Sequence, residues 1–394
     1  MEKRRDVSME RIAYFDNAAT TPTDPRVMES MLPFYKEQFG NPSSIHRLGR
    51  QAQEGMETAR EQIAGLIGAS PEEIIFTSGG TEADNLAIKG IAWAHKEKGD
   101  HIITTSIEHH GVLNPCTFLE KQGFRVTYLT VDSTGLVDLN ELEQAITKST
   151  ILISVIHANN EVGTIQPLEE IGALARERDV LFHTDAVQSV GKLDVDVKQV
   201  GVHLLALSGH KLHGPKGMGA LYVKKGVRLT PLFHGGHHER NRRAGTENVP
   251  GIVGLGRACA INLGEREEEQ QKVKDLRDRL HHGLLERIPD VTLNGHPERR
   301  LPNMLNLCFH RVEGEAIILH LDMNGIAAST GSACASGTIE PSHVLMAMGS
   351  DPMVAHSSVR FSLGRGNTEE DVDRVIEVLP GIIERLRAMS PLSI

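Results

Sequence analysis

Two residues of complementary chemistry stand twenty-six positions apart: Lys211, in Ser208-Gly209-His210-Lys211, and Asp185, in His183-Thr184-Asp185-Ala186-Val187-Gln188. Each follows an apolar run, 204–207 for the lysine and 180–182 for the carboxylate, so each sits where a buried strand would release its chain into a site. A lysine in low-dielectric surroundings or beside other cations can lose its proton, and the neutral amine is the nucleophile that forms a Schiff base with an aldehyde. The aldehyde that also needs a carboxylate, to keep a pyridine nitrogen protonated as an electron sink, is pyridoxal 5'-phosphate. Asp185 fits that need. A surface lysine near a turn and an aspartate capping a helix is the plainer alternative for the same pair.

A phosphate group has its own candidate cradle in Thr77-Ser78-Gly79-Gly80-Thr81-Glu82, between the short apolar run 74–76 and a helix through Leu86 and Ile88. A helix start offers unpaired backbone N–H groups and a positive dipole end, and glycine lets the anion come close. An ordinary glycine-rich turn would look similar. The segment is not a nucleotide P-loop, because the Gly-x4-Gly-Lys-Ser/Thr pattern is missing, and no dinucleotide Gly-x-Gly-x-x-Gly turn is present. Glu108-His109-His110 follows another strand-like run, which brings an imidazole to the same edge, where it can stack on a flat cofactor and carry protons near neutral pH. Asn159-Asn160-Glu161 follows a third and supplies amides for a phenolic oxygen or a substrate carboxylate.

Among four cysteines, Cys116, Cys259 and Cys308 lie among apolar or helical neighbours and read as packing thiols, whereas Cys334 lies in Ser329-Thr330-Gly331-Ser332-Ala333-Cys334-Ala335-Ser336-Gly337. Small residues on both sides describe a loop that can carry a nucleophilic thiol into a site and out again. A cysteine that merely fills a small-residue turn is the alternative. None of the four shows Cys-x-x-Cys spacing, so they read as free thiols in a reducing compartment and not as a disulfide frame or a metal site. Downstream, Arg360 sits in the alternating segment His356-Ser357-Ser358-Val359-Arg360-Phe361, and its guanidinium fork suits an amino-acid carboxylate.

The elements that must position these groups follow from the pattern. Apolar runs at 74–76, 102–105, 126–129, 151–156, 180–182 and 204–207 alternate with helical stretches, which predicts a mainly parallel sheet covered on both faces, with ligands at the carboxyl ends of the strands. After Gly256 the texture becomes more charged, with Val273, Leu276, Leu280 and Leu284 at helical spacing. The expected organisation is α/β: a large domain over 17–259 and a smaller α+β domain built from 1–16 and 260–394. A last helix should start after Thr368, capped by its hydroxyl, with Glu369, Glu370 and Asp371 in the first turn.

Composition narrows the class. The chain has 52 acidic against 42 basic side chains, a formal charge of -10, and its tight basic cluster is only Lys3-Arg4-Arg5, so a nucleic-acid partner is not expected. No apolar run approaches the ~18 residues of a membrane span, and the first ten residues hold no secretory core. A cytoplasmic location is the default.

Taken together and in order, these motifs resemble those of the cysteine desulfurases, the group similar to the nitrogen-fixation and housekeeping iron-sulfur enzymes. The likeness runs from Phe15-Asp16-Asn17-Ala18-Ala19-Thr20-Thr21 through Gly40-Asn41-Pro42-Ser43-Ser44 to Arg360. It implies a fold-type I pyridoxal-phosphate homodimer that converts L-cysteine to L-alanine and passes the sulfur, as a persulfide on Cys334, to an acceptor such as an iron-sulfur scaffold. By the same resemblance Lys211 is the cofactor lysine, Asp185 the pyridine partner, Gln188 the phenolic-oxygen partner and His109 the stacking histidine. Gly80, Thr81, Ser208 and His210 match the phosphate ligands, and Thr246, in Arg243-Ala244-Gly245-Thr246-Glu247-Asn248, matches the one given by the neighbouring subunit. Asn160 and Arg360 match substrate-side groups, with Asn41 a further candidate. Gly331-Ser332-Ala333-Cys334 followed by Glu340-Pro341-Ser342-His343 is similar to the long-loop group. Some relatives extend beyond the point matching Ser390-Pro391-Leu392 into a tail that meets the scaffold, so the likeness does not carry docking through such a tail. Other fold-type I enzymes, an aminotransferase or a selenocysteine lyase, would share the cofactor residues, and a non-catalytic sulfur-carrier or assembly subunit would share the fold.

Overall fold

Strands that read as continuous apolar runs must be covered on both faces, and a sheet with two covers organises this molecule. The computed structural model describes residues 11–331 and 341–389. In chain order the strands are β1 (Ala13–Tyr14), β2 (Ile74–Thr77), β3 (His101–Thr105), β4 (Arg125–Leu129), β5 (Thr150–Ser154), β6 (Leu181–Asp185), β7 (Leu204–Ser208), β8 (Gly219–Val223), β9 (Val291–Asn294), β10 (Met304–Phe309), β11 (Ile326–Ala327) and β12 (Ser358–Ser362). Seven of them form the principal sheet in the order β2-β8-β7-β6-β5-β3-β4. Only β8 runs antiparallel to its neighbours. Every residue of β2, β3, β5, β7 and β8 is buried.

One face of this sheet packs Phe182, Leu205, Leu207 and Ile153 against the helix Arg47–Leu66 and the first part of the helix Val249–Arg287. The other face packs Ile102, Leu152, Leu204 and Leu221 against the helices Gly80–Ala94 and His110–Glu120. A separate apolar cluster surrounds the three-stranded antiparallel sheet β12-β10-β9. Val273, Leu276, Leu280 and Leu284 enter it from the second part of the same long helix, and Val372, Leu379 and Ile383 enter it from the helix Glu369–Met389. Helix spacing at 273, 276, 280 and 284 therefore does select a buried face. Thr368 caps the last helix as expected: its Oγ1 accepts from the Asp371 N–H at 3.3 Å, and Asp371 Oδ2 accepts from the Thr368 N–H at 3.1 Å.

Two features departed from the pattern reading. β8 was not foreseen; it follows the turn Gly214-Pro215-Lys216-Gly217 and inserts between β2 and β7, so that Gly219 lies opposite both Thr77 and Ser208. A Cβ at Gly219 would lie 2.7 Å from the backbone of Gly79, which is why only glycine lets the three strands meet there. β6 runs on past the apolar residues 180–182 and ends at Asp185 itself, paired with Ala206.

Candidate active site

All the parallel strands end at one edge, and the chemistry-bearing residues leave the sheet there. β2 ends at Thr77 and the helix Gly80–Ala94 begins three residues on, with no side chain capping its first turn. β7 ends at Ser208 and turns at once into the short helical turn Gly209–Lys211. Between the two ends opens a cleft of about 460 Å³ lined by Ala19, Thr20, Gly80, Thr81, Ser208 and His210 among others. A side chain at Gly80 would drive into Val187 Cγ2 at 2.6 Å. Burial, then the charges of Lys211, Lys216 and Lys192, push the His210 imidazole down to about 4, so it stands neutral at pH 7, near Thr20 Oγ1 at 3.2 Å. Lys216 also lines the cleft; the sequence reading overlooked it, although its place between Pro215 and Gly217 marks a turn at the strand edge.

Deeper in, the Lys211 ammonium donates to the carbonyl oxygens of Ala18 and Ala19, the latter at 2.7 Å. Gln188 Nε2 donates to the same Ala18 oxygen at 2.9 Å. Asp185 is buried and accepts from the Val187 N–H at 2.9 Å. Burial raises its carboxyl, while the charges of His109 and Lys211 pull it back down. His109 caps the helix His110–Glu120, its Nδ1 accepting from the Gly111 N–H at 2.9 Å. With Nδ1 committed as an acceptor, the neutral ring carries its proton on Nε2. Burial lowers the His109 pKa, against the pull of Asp185.

Beneath these groups lies a buried polar set that the pattern reading missed. His183 Nε2 and Asp84 Oδ1 are 3.5 Å apart, and neither atom has a hydrogen-bond partner among the described residues. Burial pushes His183 down to about 3, and burial with the nearby Asp185 and Glu108 charges pushes Asp84 well up, so burial disfavours the charged form of each partner. Glu108 is likewise pushed up to about 8, chiefly by burial. Burial thus works against charge on Asp84 and Glu108, whereas Asp185 has the charges of His109 and Lys211 to favour its ionised form. His183 had a readable signal: it is two residues before Asp185, hence on the same face of β6.

Toward the smaller sheet, Arg360 on β12 is buried, and donates from Nη1 to the Asn160 carbonyl at 2.8 Å and from Nη2 to Asp16 Oδ1 at 2.9 Å. Its Nε finds no acceptor among the described residues. Asn159, rather than Asn160, uses its amide to fix the turn, its Oδ1 accepting from the N–H groups of Glu161 and Val162. Asn41 is exposed and its Oδ1 accepts from the Ser43 N–H at 2.9 Å. Asn41 and Thr246 do not line the cleft, and Thr246 is exposed. The Thr246 segment is tied to the cradle helix through Arg243, whose Nε donates to Glu82 Oε1 at 2.9 Å. Cys334 lies outside the described residues. The three other thiols are buried and pushed up to about 12 by that burial.

A family model for aminotransferase class-V matches residues 13–375. The chain belongs to the class-V aminotransferase family. It is 57% identical over 389 residues to the cysteine desulfurase IscS of Methanosarcina thermophila, with 98% of this chain and 96% of that protein covered. A solved NifS-like protein superposes with a TM-score of 0.90 at 42% identity, covering 95% of this chain and all of that one. SspA in complex with cysteine superposes at 0.80 with 41% identity, covering 90% of this chain and 99% of that one. The fold is thus the α/β fold-type I arrangement of the pyridoxal-phosphate enzymes.

Proposed function

We propose that this chain is a pyridoxal-phosphate-dependent cysteine desulfurase in which Lys211, Asp185, Gln188 and His109 hold the cofactor and Cys334 receives the sulfur. The residues fit the group on structural grounds. The uncapped helix start at Gly80, where any side chain would collide with Val187, suits a phosphate together with Thr81, Ser208 and neutral His210. Asp185, buried and drawn toward its charged form by His109 and Lys211, suits a protonated pyridine nitrogen. When bound, pyridoxal phosphate supplies the electron sink that lets Cα of the substrate lose a proton and its Cβ–S bond weaken.

The chain's own groups do the rest. Lys211 would hold the cofactor through its side-chain nitrogen and, once freed by the substrate amine, would serve as the base at Cα. Arg360 offers its unpaired Nε, and the fork now shared with Asp16, to the substrate carboxylate, with Asn160 beside it and Asn41 a further contact from outside the cleft. His109 accepts or returns the proton of the substrate thiol. The Cys334 thiolate attacks the substrate sulfur: a Cys334 S–S bond forms, the Cβ–S bond breaks, and Cβ takes a proton. L-cysteine and the Cys334 thiol thus become L-alanine and the Cys334 persulfide, which an acceptor thiol or iron-sulfur scaffold then relieves of its outer sulfur. A reducing, cytoplasmic compartment suits that chemistry.

The site is completed by a second copy. Exposed Thr246 does not line the cleft of its own chain, and Met28, Leu32 and Tyr35 on the helix Pro25–Lys36, with Phe39 beyond its end, are exposed apolar side chains. Thr246 therefore serves the cleft of the partner subunit in a homodimer. The observation that carries the reading is the convergence of Lys211, Asp185 and the Gly80 cradle on one sheet edge, with a buried, incompletely paired Arg360 on β12 of the smaller sheet. The test is release of sulfide and alanine from L-cysteine, with and without a reductant, and mass analysis of the Cys334 peptide. Persulfide on any other cysteine would refute it.

A further inference from the structure

Lys192, met above only as a charge near His210, hydrogen-bonds the backbone of Gln188, the residue proposed to meet the phenolic oxygen. Its ammonium donates to the Gln188 carbonyl at 2.9 Å and lies 3.4 Å from Gln188 Oε1. It shares with Lys211 the lining of a small internal cavity of about 20 Å³, about the room of one water. We infer that Lys192 is a positioning residue that fixes the Gln188 carboxamide with its oxygen inward, so that Gln188 meets the cofactor's phenolic oxygen as a hydrogen-bond donor.

The argument is one of donors and acceptors. A carboxamide can present either end, and an ammonium can only donate. Lys192 therefore holds the oxygen of Gln188, which leaves the nitrogen on the side of the Ala18 carbonyl, where the 2.9 Å contact is found. Ala18 O uses one N–H. The second N–H is left for an acceptor beside Lys211, which is bonded to the same Ala18 oxygen. The other charged groups around Lys192 are committed elsewhere. Glu269 accepts from Arg365 Nη2 at 2.8 Å and faces His213 Nε2 at 3.7 Å, and Arg266 pairs with Asp194 at 2.6 Å. Burial, then the charge of Lys211, lowers the Lys192 pKa to about 7, with Glu269 opposing; it is the ammonium form, which can only donate, that sets the carboxamide.

This inference rests on the proposed cofactor, and its readout is the pH midpoint at which the visible band of the bound cofactor shifts in the intact holoenzyme. Loss of a hydrogen bond to the phenolic oxygen makes that oxygen a better partner for the proton on the Lys211 nitrogen. Lys192→Met should therefore raise the midpoint by about 1 pH unit, the size of one such bond. Lys192→Arg, which still donates, should return it toward the wild-type value. Removing a positive charge would also raise the midpoint, so the deciding experiment is the cycle with Gln188→Leu. If Lys192 acts through the amide, adding Lys192→Met to Gln188→Leu gives less than half the shift that Lys192→Met gives alone, and half or more overturns the inference. A wild-type midpoint in Lys192→Met overturns it as well. If Lys192→Met does not fold, as judged by thermal melting, Lys192→Gln replaces it in the same cycle and is read by the same two outcomes. A wild-type protein that takes up no cofactor band would instead overturn the proposed function.

Discussion

Arg360 Nη2 donates to Asp16 Oδ1 at 2.9 Å, so the guanidinium proposed to receive the substrate carboxylate already holds a carboxylate of its own chain. Asp16 is its competitor. Asp16→Asn should lower KM for L-cysteine by about threefold to tenfold, the worth of one displaced hydrogen bond, with kcat changed less. Steady-state kinetics checks this, and a raised KM would mean that Asp16 orients Arg360 instead of occupying it. Arg360→Gln should raise KM by roughly tenfold or more.

Lys211→Ala should yield folded protein that stays colourless with pyridoxal phosphate and turns over L-cysteine at a negligible rate. Absorbance before and after addition of the cofactor is the measurement. An unchanged visible band would place the cofactor on another amine.

Asp185→Asn should keep the fold and the cofactor and lose about 1.5–3 kcal/mol of charge-assisted contact, or roughly ten- to a hundredfold in kcat. The neighbouring acids are poor substitutes, since burial raises both Asp84 and Glu108 against ionisation. Wild-type turnover would show that the ring nitrogen has a different partner.

Cys334→Ala should remain yellow and react with L-cysteine in the spectrum, yet deliver almost no sulfur to an acceptor. Cys116, Cys259 and Cys308 are buried, with thiols pushed up to about 12, and so form little thiolate at neutral pH. Each changed to Ala should cost stability of about 1 kcal/mol or more but leave sulfur transfer per folded molecule intact. Radiolabelled sulfur retained by Cys334→Ala on one of these three would contradict the assignment.

Acid should destabilise the fold in part through His183. Its folded pKa is depressed to about 3, while the unfolded chain binds a proton near ~6.5. The unfolded state therefore holds more protons between those values, and stability falls as pH drops through that window, by up to ~1.4 kcal/mol per pH unit from this residue. Denaturant melts at pH 7 and pH 5 should show a smaller pH dependence in His183→Gln than in wild type. An identical dependence would mean that Asp84 accepts the charge in the folded state.

The strand edges were legible because fully buried parallel strands announce themselves as short apolar runs, and the residues after 76, 105 and 207 had nowhere to go but the sheet edge. Asp185 and Lys211 were found for that reason. β8 was not, because Gly219, Ala220 and Leu221 follow two glycine turns and carry no alternation. Asp84 escaped notice, and Glu108 was named beside His109 without a role, because a carboxylate buried by tertiary packing looks, in the chain, like one on a solvated helix or turn. Lys192 was hidden for a related reason: its partner is the fourth residue before it, in a stretch that is not a helix.

The helix Val249–Arg287 serves both apolar clusters with one uninterrupted rod of 39 residues, about 58 Å long. A rod cannot melt at one end and stay anchored at the other without giving up the contacts that hold it straight. Heat should therefore reach the two sheets together, as a single calorimetric event. Any rearrangement that moves the β10 sheet during turnover must be a tilt of the whole shaft or a local adjustment at β1, β11 and the turns around it, and not a bend within the shaft.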